Sequence, residues 1–306
     1  MQQDSAAVTA QPASTPTKHG TSRAGLVAPL LVVAVAFCFQ TGSALATRVI
    51  SAVGLVDALW LRTAVAAIIL VAVRPRSLRL PPKGRRRPIA LLTLSLLAMN
   101  LSFYGAISHA PLGIVVAIEL LGPLAVAVMG LRRKLDFLWV GLALAGVVIL
   151  AGPTSSVSTL GLGLSLVAAC SWGAFLVLAK RAVTDMPPLQ VTTLMLAGSA
   201  LLLTPALAAW GPRMVHHPSA VALGLAVAVL SSALPYFVEL IALRLVRAAT
   251  YGVLLSLEPA VAALMGFLVA GQSLALLEIA AIVAVMIAAA GASWTSRPRP
   301  TGLEVG

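Results

Sequence analysis

The chain has 306 residues, 60% of them hydrophobic and 10% charged, and its mean hydropathy is +1.02. This composition excludes an ordinary soluble domain and is typical of a protein that lies mostly in a lipid bilayer. The formal net charge of +12 is large enough to suit a nucleic-acid partner, but the spacing of the charges along the chain indicates a different cause.

Neither the cysteines nor other reactive residues form a recognisable catalytic or metal-binding motif. Cys38 and Cys170 both fall inside apolar runs, so we expect buried thiols that form neither a disulfide nor a metal site. The sequence contains no glycine-rich phosphate loop, no nucleophile motif and no Cys/His cluster. It therefore predicts no cofactor, no metal and no enzyme activity.

Residues 1–24 are rich in Ser, Thr, Gln, Ala and Pro and contain no apolar run, so we expect a disordered tail. The apolar segment after this tail is long enough to span a bilayer, which favours a retained helix over a cleaved signal peptide. A second, shorter tail is expected at 296–306. Between the tails the chain divides into ten apolar segments, most of them near the ~20 residues that a spanning helix needs. The segments are 25–46, 54–73, 88–108, 111–131, 135–152, 160–179, 188–210, 219–241, 248–270 and 274–295.

Connections rich in Lys and Arg alternate along the chain with connections that have few, as expected for ten spans. Of the 21 Lys and Arg residues, Arg48 and Arg213 lie on one side and Arg62 lies within a segment, which leaves 18 on the other side. Seven of these 18 are concentrated at 74–87. Because basic connections stay in the cytoplasm, the split predicts that both termini are cytoplasmic. The basic charge is thus a topology signal, and we expect no nucleic-acid partner.

The second half of the sequence repeats the first half. Tyr104 falls on Tyr236 at an offset of 132 residues. An insertion of four residues then moves the offset to 136, at which Pro123 falls on Pro259. Such internal similarity between two halves of a membrane protein indicates a duplicated unit.

Each repeated unit holds five spans. The first unit covers 25–152 and the second covers 160–295, and the linker between them, 153–159, is expected on the periplasmic side. Because five is an odd number, the second unit enters the membrane in the opposite orientation. Inverted repeats of this kind are an architecture of secondary transporters, which bind substrate near mid-membrane between the repeats.

Two carboxylates interrupt apolar segments, Glu119 in the fourth and Glu258 in the ninth. Pro123 lies about one turn after the first carboxylate, and Pro259 directly follows the second. A charge at mid-membrane costs about 2.5–3.5 kcal/mol on insertion scales, so its presence indicates a function. We predict that one or both carboxylates bind a substrate ammonium or a coupling proton. The alternative is pairing with Arg62 or capping of backbone groups that the prolines free.

Of the other ionisable residues in the segments, Arg62 and Glu239 are expected to form an ion pair or a gate. Arg62 is able to bind a substrate carboxylate or to act as the counter-ion of Glu119 or Asp57, and the structural role is favoured. Asp57 lies near the outer end of the same segment and is expected to be solvated. Glu239 lies one turn from the cytoplasmic end of the eighth segment, close to Arg244, so we expect an ion pair or a gate there.

Uncharged polar and aromatic residues add further candidates. Asn100, Tyr104 and Tyr236 are predicted either to line a polar cavity with the two carboxylates or to form interhelical hydrogen bonds. Gln40 and Trp172 are repeat equivalents, and they are predicted to cap this cavity or to pack between helices.

Five motifs carry a resemblance to a known family. They are PLGIVVAIELLGPLAVAV at 111–128, LDFLWV at 135–140, CSWGAF at 170–175, SSALPYFVELIAL at 231–243 and YGVLLSLEPAVAALMG at 251–266. On these motifs the membrane part of the chain resembles the EamA-type branch of the drug/metabolite transporter superfamily, nearest its threonine and homoserine exporters.

The resemblance implies an all-α integral membrane protein of ten transmembrane helices in two inverted five-helix EamA-like repeats. It also implies a central cavity lined mainly by spans three, four, eight and nine. One departure from the family pattern is Gln272, where relatives usually have a glutamate. This position is expected at the outer rim, and we do not expect transport to depend on it.

The sequence thus predicts an inner-membrane exporter of small neutral amino acids or related metabolites, which works by alternating access and is coupled to protons. Its expected partners are a small-molecule substrate and the lipid bilayer. One alternative is a multidrug or aromatic-compound exporter of the same fold. An alternative of a different class is a membrane scaffold or enzyme that transports nothing.

Overall fold

The computed structural model describes residues 23–128, 134–150, 157–245 and 254–295, and these residues form helices and connections without a β-strand. The helices are α1 (Arg23–Val53), α2 (Leu55–Val73), α3 (Lys83–Ile107), α4 (Leu112–Glu119), α5 (Leu121–Val128), α6 (Lys134–Leu150), α7 (Thr159–Asp185), α8 (Pro188–Trp210), α9 (Pro218–Ala228), α10 (Leu234–Leu245), α11 (Glu258–Ala270) and α12 (Leu276–Thr295). A π-helical segment, Val229–Ala233, joins α9 to α10, and short 3-10 turns lie at Pro75–Leu78 and Arg213–His216.

Each of the ten predicted apolar segments contains one helix or two helices in line among its described residues; of the ninth segment, residues 254–270 are described. In the described ranges, six helical stretches are long and apolar enough to cross a membrane, and four apolar helices are shorter. The prediction of an all-α, multi-pass membrane protein is confirmed. The predicted tails at 1–24 and 296–306 lie outside the described residues, except for Arg23 and Ala24, which begin α1.

Helices of the first half pack mainly against helices of the second half. α3 lies along α7, α2 along α8 and α6 along α12, while α1 packs against α9 and α11. α4 packs against α11, and α5 packs against α7. Because lipid is as apolar as the helices themselves, close packing of small residues determines which faces meet. The halves therefore interleave and share a core.

A proline breaks the helix that carries Glu119. Pro123 has no N–H to donate to the carbonyl of Glu119, four residues earlier, so the ladder of helical hydrogen bonds is interrupted there. α4 accordingly ends at Glu119, and α5 begins at Leu121. The carboxylate thus lies at the junction of two short helices.

Two prolines of the second half are accommodated in different ways. Pro235 is the second residue of α10, two residues after the π-helical segment Val229–Ala233, whose wider turn suits a missing N–H. Pro259 is the second residue of α11, where the first N–H groups have no helical partner in any case. Pro259 was predicted near the middle of the ninth segment, and in the structure it falls in the first turn of a helix, where its missing N–H costs no helical hydrogen bond.

Polar side chains at one end of the bundle connect the two halves. Arg48, expected in a connection, lies within α1, and its Nη2 donates to the carbonyl of Val269 at 2.8 Å. α1 itself continues to Val53, beyond the predicted end of the first segment. Gln272 accepts the N–H of Leu112, the first residue of α4, at 2.9 Å. An amide oxygen therefore caps this helix N-terminus, a role that a carboxylate oxygen performs equally well.

Two predictions about exposure are wrong. Both cysteines are free, but Cys170 is exposed and Cys38 is half-buried. Apolarity does not predict burial in a membrane helix, because lipid receives an apolar side chain as readily as the core does. Asp57 is buried rather than solvated, and its Oδ1 accepts the N–H of Met214 at 3.0 Å. It thereby binds the 3-10 turn Arg213–His216 to α2.

α5 and α7 approach so closely that one contact requires glycine. A Cβ atom on Gly122 would lie 2.0 Å from the carbonyl oxygen of Ala169. This obstacle is backbone, which has no rotamer to change. Gly173 meets the same contact from the other side, since its Cβ would lie 3.1 Å from the Gly122 carbonyl oxygen. The contact fixes α5 against the helix that carries Trp172.

Gly122→Ala is expected to destabilise the folded protein by about 1–3 kcal/mol, because the added methyl group forces α5 and α7 apart. Gly163→Ala in α7 is the matched control, since no atom lies within 4 Å of the added Cβ. Alanine at this control position should leave stability unchanged or raise it by up to about 1 kcal/mol. The measurement is the midpoint of thermal unfolding in detergent. A wild-type midpoint for Gly122→Ala would contradict the contact.

Candidate functional site

Three carboxylates from separate helices line one cavity in the interior of the bundle. Glu119 ends α4, Glu239 lies on α10 and Glu258 begins α11. The space open to the centres of water molecules is about 50 Å³. One water needs about 10–15 Å³ on this measure, so the cavity holds about four waters or one small solute of similar bulk. The rest of the wall is mostly apolar and includes Phe39, Gln40, Met99, Trp172 and Tyr236.

Helix ends place two of these carboxylates. Glu119 is buried beside the break after α4, and Glu258 stands at the N-terminus of α11, whose partial positive charge favours an anion. Glu239 lies one turn after Tyr236 on the same face of α10. Neither Glu119 nor Glu258 forms a hydrogen bond or salt bridge with another described residue. Three acidic groups within an apolar wall favour the entry of a cation.

Arg62 forms a second, fully buried layer beside the cavity. Its Nε donates to the Ser232 hydroxyl, and its Nη2 donates to the Tyr236 hydroxyl at 3.1 Å. The guanidinium carbon lies 5.0 Å from the ring centroid of Tyr104 and 5.8 Å from that of Phe39. Aromatic faces are electronegative, so these rings stabilise the buried cation. Within the described part of the chain, no carboxylate lies at salt-bridge distance from Arg62.

Tyr236 connects this layer to the cavity. Its side chain lines the cavity, and its hydroxyl accepts from Arg62 and donates to Asn100 Oδ1 at 3.1 Å. Asn100 in turn donates from Nδ2 to the carbonyl of Leu96 at 2.9 Å. The ring of Phe39 meets the Tyr236 ring edge-on at 6.0 Å. Hydrogen bonds of the hydroxyl and the aromatic contact of the ring therefore both fix the position of the Tyr236 side chain.

Several buried polar atoms of this region have no hydrogen-bond partner among the described residues. They are both amide atoms of Gln40, Ser43 Oγ, Arg62 Nη1 and Tyr104 OH. A buried polar group without a partner costs about 1–3 kcal/mol, so a cluster of such groups suits a polar ligand. The arrangement offers donors for an anion at Arg62 and acceptors for a cation at the three carboxylates.

Comparisons with known proteins identify the family. A family model described as the EamA-like transporter family matches residues 159–294. The threonine/homoserine exporter RhtA of Salmonella typhimurium (strain LT2) is 39% identical over 277 residues, which covers 89% of this chain and 93% of the relative. The exporter of the same name from Escherichia coli (strain K12) is 38% identical over 274 residues, with 88% and 92% covered. The chain belongs to the EamA-like transporter family.

A solved structure shares the fold of this EamA-like transporter. The two agree with a TM-score of 0.65 at 18% identity, and the match covers 89% of this chain and 98% of the other. At this identity the likeness shows the fold alone. The family resemblance seen in the sequence motifs is confirmed, and it identifies a membrane transporter rather than an enzyme.

The EamA-like transporter brings the predicted site residues into two adjoining layers. Six of them lie on the cavity wall: Gln40, Glu119, Trp172, Tyr236, Glu239 and Glu258. The other three lie in the buried layer around the Tyr236 hydroxyl: Arg62, Asn100 and Tyr104. The sequence did not separate these layers, because it does not show which side of a helix faces an opening.

In the described residues, Arg62 forms no salt bridge with either of its predicted ionic partners. Glu119 forms no salt bridge with it in the described residues, and Asp57 binds a backbone N–H instead. Hydroxyl groups and aromatic rings stabilise the guanidinium in place of a carboxylate. The predicted partner of Glu239, Arg244, has its side chain outside the described part, so the ion pair stays a prediction. Glu239 itself lies on the cavity wall.

Seven wall residues were absent from the sequence predictions, and all seven are uncharged; two of them are Phe39 and Met99. Each of these two directly precedes a polar candidate, namely Gln40 and Asn100 respectively. Consecutive helical residues are turned by about 100°, so neighbours are able to flank the same opening. Their position next to a polar candidate is the signal in the sequence that could have identified these two residues.

Tyr236→Phe is expected to destabilise the EamA-like transporter by about 1–3 kcal/mol, because Arg62 and Asn100 each lose a buried partner. Tyr104→Phe is the matched control, since its hydroxyl has no partner in the described residues and its ring remains under Arg62. Thermal unfolding in detergent measures both variants. Equal midpoints for the two would show that the Tyr236 hydroxyl does not hold the buried layer.

Proposed function

We propose that this protein exports small neutral amino acids of the threonine and homoserine type across the inner membrane. The observation that carries the proposal is the 38–39% identity, over 88–89% of this chain, to exporters named for these substrates. The cavity supports it, because three carboxylates and a neighbouring arginine suit a small solute that carries both charges. The family membership supports transport as the activity.

The two halves act as inverted five-helix repeats, 25–152 and 160–295, with both termini in the cytoplasm. Reciprocal packing supports this arrangement: α3 lies along α7, and its repeat equivalent, α9 with α10, lies along α1. α2 and α6 each pack on their own equivalents, α8 and α12. Repeats of this kind open a central site to each side in turn by rocking against each other.

Helix breaks support a binding site at the carboxylates. Glu119 lies where α4 gives way to α5, and Glu258 lies where α11 begins. The prolines at the two breaks, Pro123 and Pro259, are repeat equivalents at the offset of 136. Transporters of this architecture commonly form their substrate and ion sites from discontinuous helices.

The amino acid binds with its two charged ends on opposite sides of Tyr236. Its ammonium group lies among Glu119, Glu239 and Glu258, where three acceptors replace its water. Its carboxylate is drawn toward Arg62, whose Nη1 has no partner in the described residues. Hydrogen bonds between a guanidinium and a carboxylate are charge-assisted and stronger than neutral ones, so this contact selects amino acids over simple amines.

Protons drive the export. An isolated ionised carboxylate is costly in an apolar wall, so the acidic groups gain from taking up either a proton or a substrate ammonium. The proton and the substrate ammonium compete for the same carboxylates. The protein therefore exchanges a proton on one side of the membrane for a substrate molecule on the other. The sequence contains no nucleotide-binding motif, which leaves an ion gradient or the substrate gradient itself as the source of energy, and the buried carboxylates favour the proton gradient.

The aromatic wall supports a second candidate, the export of flat or cationic drugs. Phe39, Trp172 and Tyr236 line the cavity beside the three carboxylates. Aromatic faces attract organic cations, and acidic neighbours strengthen the attraction.

Export from loaded cells separates the two candidates. Cells that express the protein should lose labelled threonine and homoserine faster than cells with an empty vector, and should tolerate higher external concentrations of both. Protection against cationic dyes is measured in the same cells. Dye protection without any change in threonine or homoserine export would overturn the first candidate and support the second.

A further inference from the structure

A second cavity lies at the basic end of the bundle, between the first turns of α3 and the last turns of α7. It offers about 250 Å³ to the centres of water molecules, on the same measure as the acidic cavity. Three arginines line it: Arg85, Arg87 and Arg181. Its other residues are apolar: Pro88, Ile89, Leu91, Leu178, Ala182 and Met186. We call this cavity the arginine groove.

The groove carries more positive charge than its surroundings neutralise. Arg85 forms a salt bridge with Asp185, the last residue of α7. α3 contains no acidic residue, and α7 contains Asp185 alone. Arg87 and Arg181 form no hydrogen bond or ion pair with any other described residue. Two guanidinium groups therefore remain available for an anion.

An exposed apolar strip leads away from the arginines along α3. Leu91 lies one turn after Arg87 and is 44% exposed, and Leu94, a further turn along, is 51% exposed. Leucines exposed on a membrane helix face the lipid chains. The groove therefore lies where basic sequence gives way to hydrocarbon-facing sequence, at the level of lipid headgroups.

We propose that the arginine groove binds the headgroup phosphate of an anionic phospholipid. Arg87 and Arg181 hold the phosphate oxygens through charge-assisted hydrogen bonds, and an acyl chain lies along Leu91 and Leu94. Basic pockets between membrane helices on the cytoplasmic side are typical headgroup sites. The basic cluster at 74–87 thus does more than orient the chain in the membrane.

The bound lipid joins the two halves of the protein. α3 belongs to the first half and α7 to the second, and their ends are already joined by the Arg85–Asp185 salt bridge. A phosphate between Arg87 and Arg181 adds a second connection at the same level. The site is separate from the acidic cavity and does not rest on the proposed substrate.

Native mass spectrometry of the delipidated protein tests this site. The protein is given dioleoyl phosphatidylglycerol or dioleoyl phosphatidylethanolamine at equal concentration, and the fraction that retains one lipid is measured. We expect preferential retention of phosphatidylglycerol. The double change Arg87→Gln and Arg181→Gln should lower this retention by about tenfold, because each basic residue near an anionic lipid contributes severalfold to its binding.

The double change Arg74→Gln and Arg76→Gln is the matched control. It removes the same charge from the same end of the bundle but outside the groove, so retention should stay at the wild-type level. Equal retention of the two lipids by the wild type would overturn the proposal. Equal losses in both double variants would also overturn it, since they would indicate general attraction. Displacement of the lipid by equimolar glycerol 3-phosphate would assign the groove to soluble phosphate esters instead.

Discussion

Replacement of Glu119 or Glu258 by glutamine is expected to lower threonine export by about tenfold or more, which corresponds to about 1.4 kcal/mol. Glutamine keeps the size of the side chain but removes the negative charge and the site of protonation. In an apolar wall the lost attraction for an ammonium group is larger than it is in water. The measurement is the initial rate of labelled threonine export from loaded cells, corrected for the amount of protein in the membrane.

The dependence of export on external pH provides a second readout for the same variants. If the carboxylates carry the coupling proton, the wild-type rate rises as the external medium is acidified, and each variant loses part of this response. Glu278→Gln is the matched control, because Glu278 is also buried but accepts the N–H of Ala275 at 2.8 Å, away from the cavity wall. Undiminished, still pH-dependent export in both cavity variants would remove the mechanism.

Arg62→Met is expected to yield a folded protein that exports poorly. Arg62 has no carboxylate partner among the described residues, so its removal leaves no unpaired buried charge, although Ser232 and Tyr236 each lose a donor. Tyr236 keeps its hydrogen bond to Asn100 in this variant, and methionine is able to fill the space against the aromatic rings. The loss of the guanidinium removes the group that attracts a substrate carboxylate, so we expect export to fall by about tenfold or more.

Thermal unfolding and threonine export are measured together for Arg62→Met. Arg48→Met is the matched control. Arg48 lies near the end of α1, donates to the backbone carbonyl of Val269 and is not part of the cavity wall. Arg62→Lys provides a further comparison, because a lysine keeps the charge but not the forked geometry that binds a carboxylate. Wild-type export by Arg62→Met would assign Arg62 a purely structural role.

The fold was largely predictable because membrane insertion leaves a strong linear signal. Each apolar segment contains a helix, whereas the break between α4 and α5 divides a segment that was predicted as one span. The helix start at Glu258 was not predicted, because a proline in the second position and a proline inside a helix look alike in sequence. The continuation of α1 beyond Arg48 was missed because a charged residue resembled a connection, whereas its guanidinium finds a partner in the carbonyl of Val269.

The acidic residues of the site were predictable from the sequence, but the division of the site into a cavity wall and a buried layer was not. Glu119 and Glu258 stood out because a charge in an apolar run has few structural explanations. Glu239 was predicted near the cytoplasmic end of its segment as a gate or an ion pair, and the structure places it on the cavity wall with the other two carboxylates. The partners of Arg62 were unpredictable because hydroxyl groups and rings, unlike carboxylates, are too common in the sequence to be matched by charge.

Counterflow in liposomes tests the central claim most directly, namely that a cavity between two interleaved halves carries an amino acid through its acidic and basic groups. Purified protein is reconstituted into liposomes loaded with unlabelled threonine, and the uptake of labelled threonine from outside is followed. The account predicts saturable uptake that homoserine inhibits and that falls by about tenfold in Glu119→Gln. Uptake no faster than in protein-free liposomes, or equal uptake by wild type and Glu119→Gln, would contradict it.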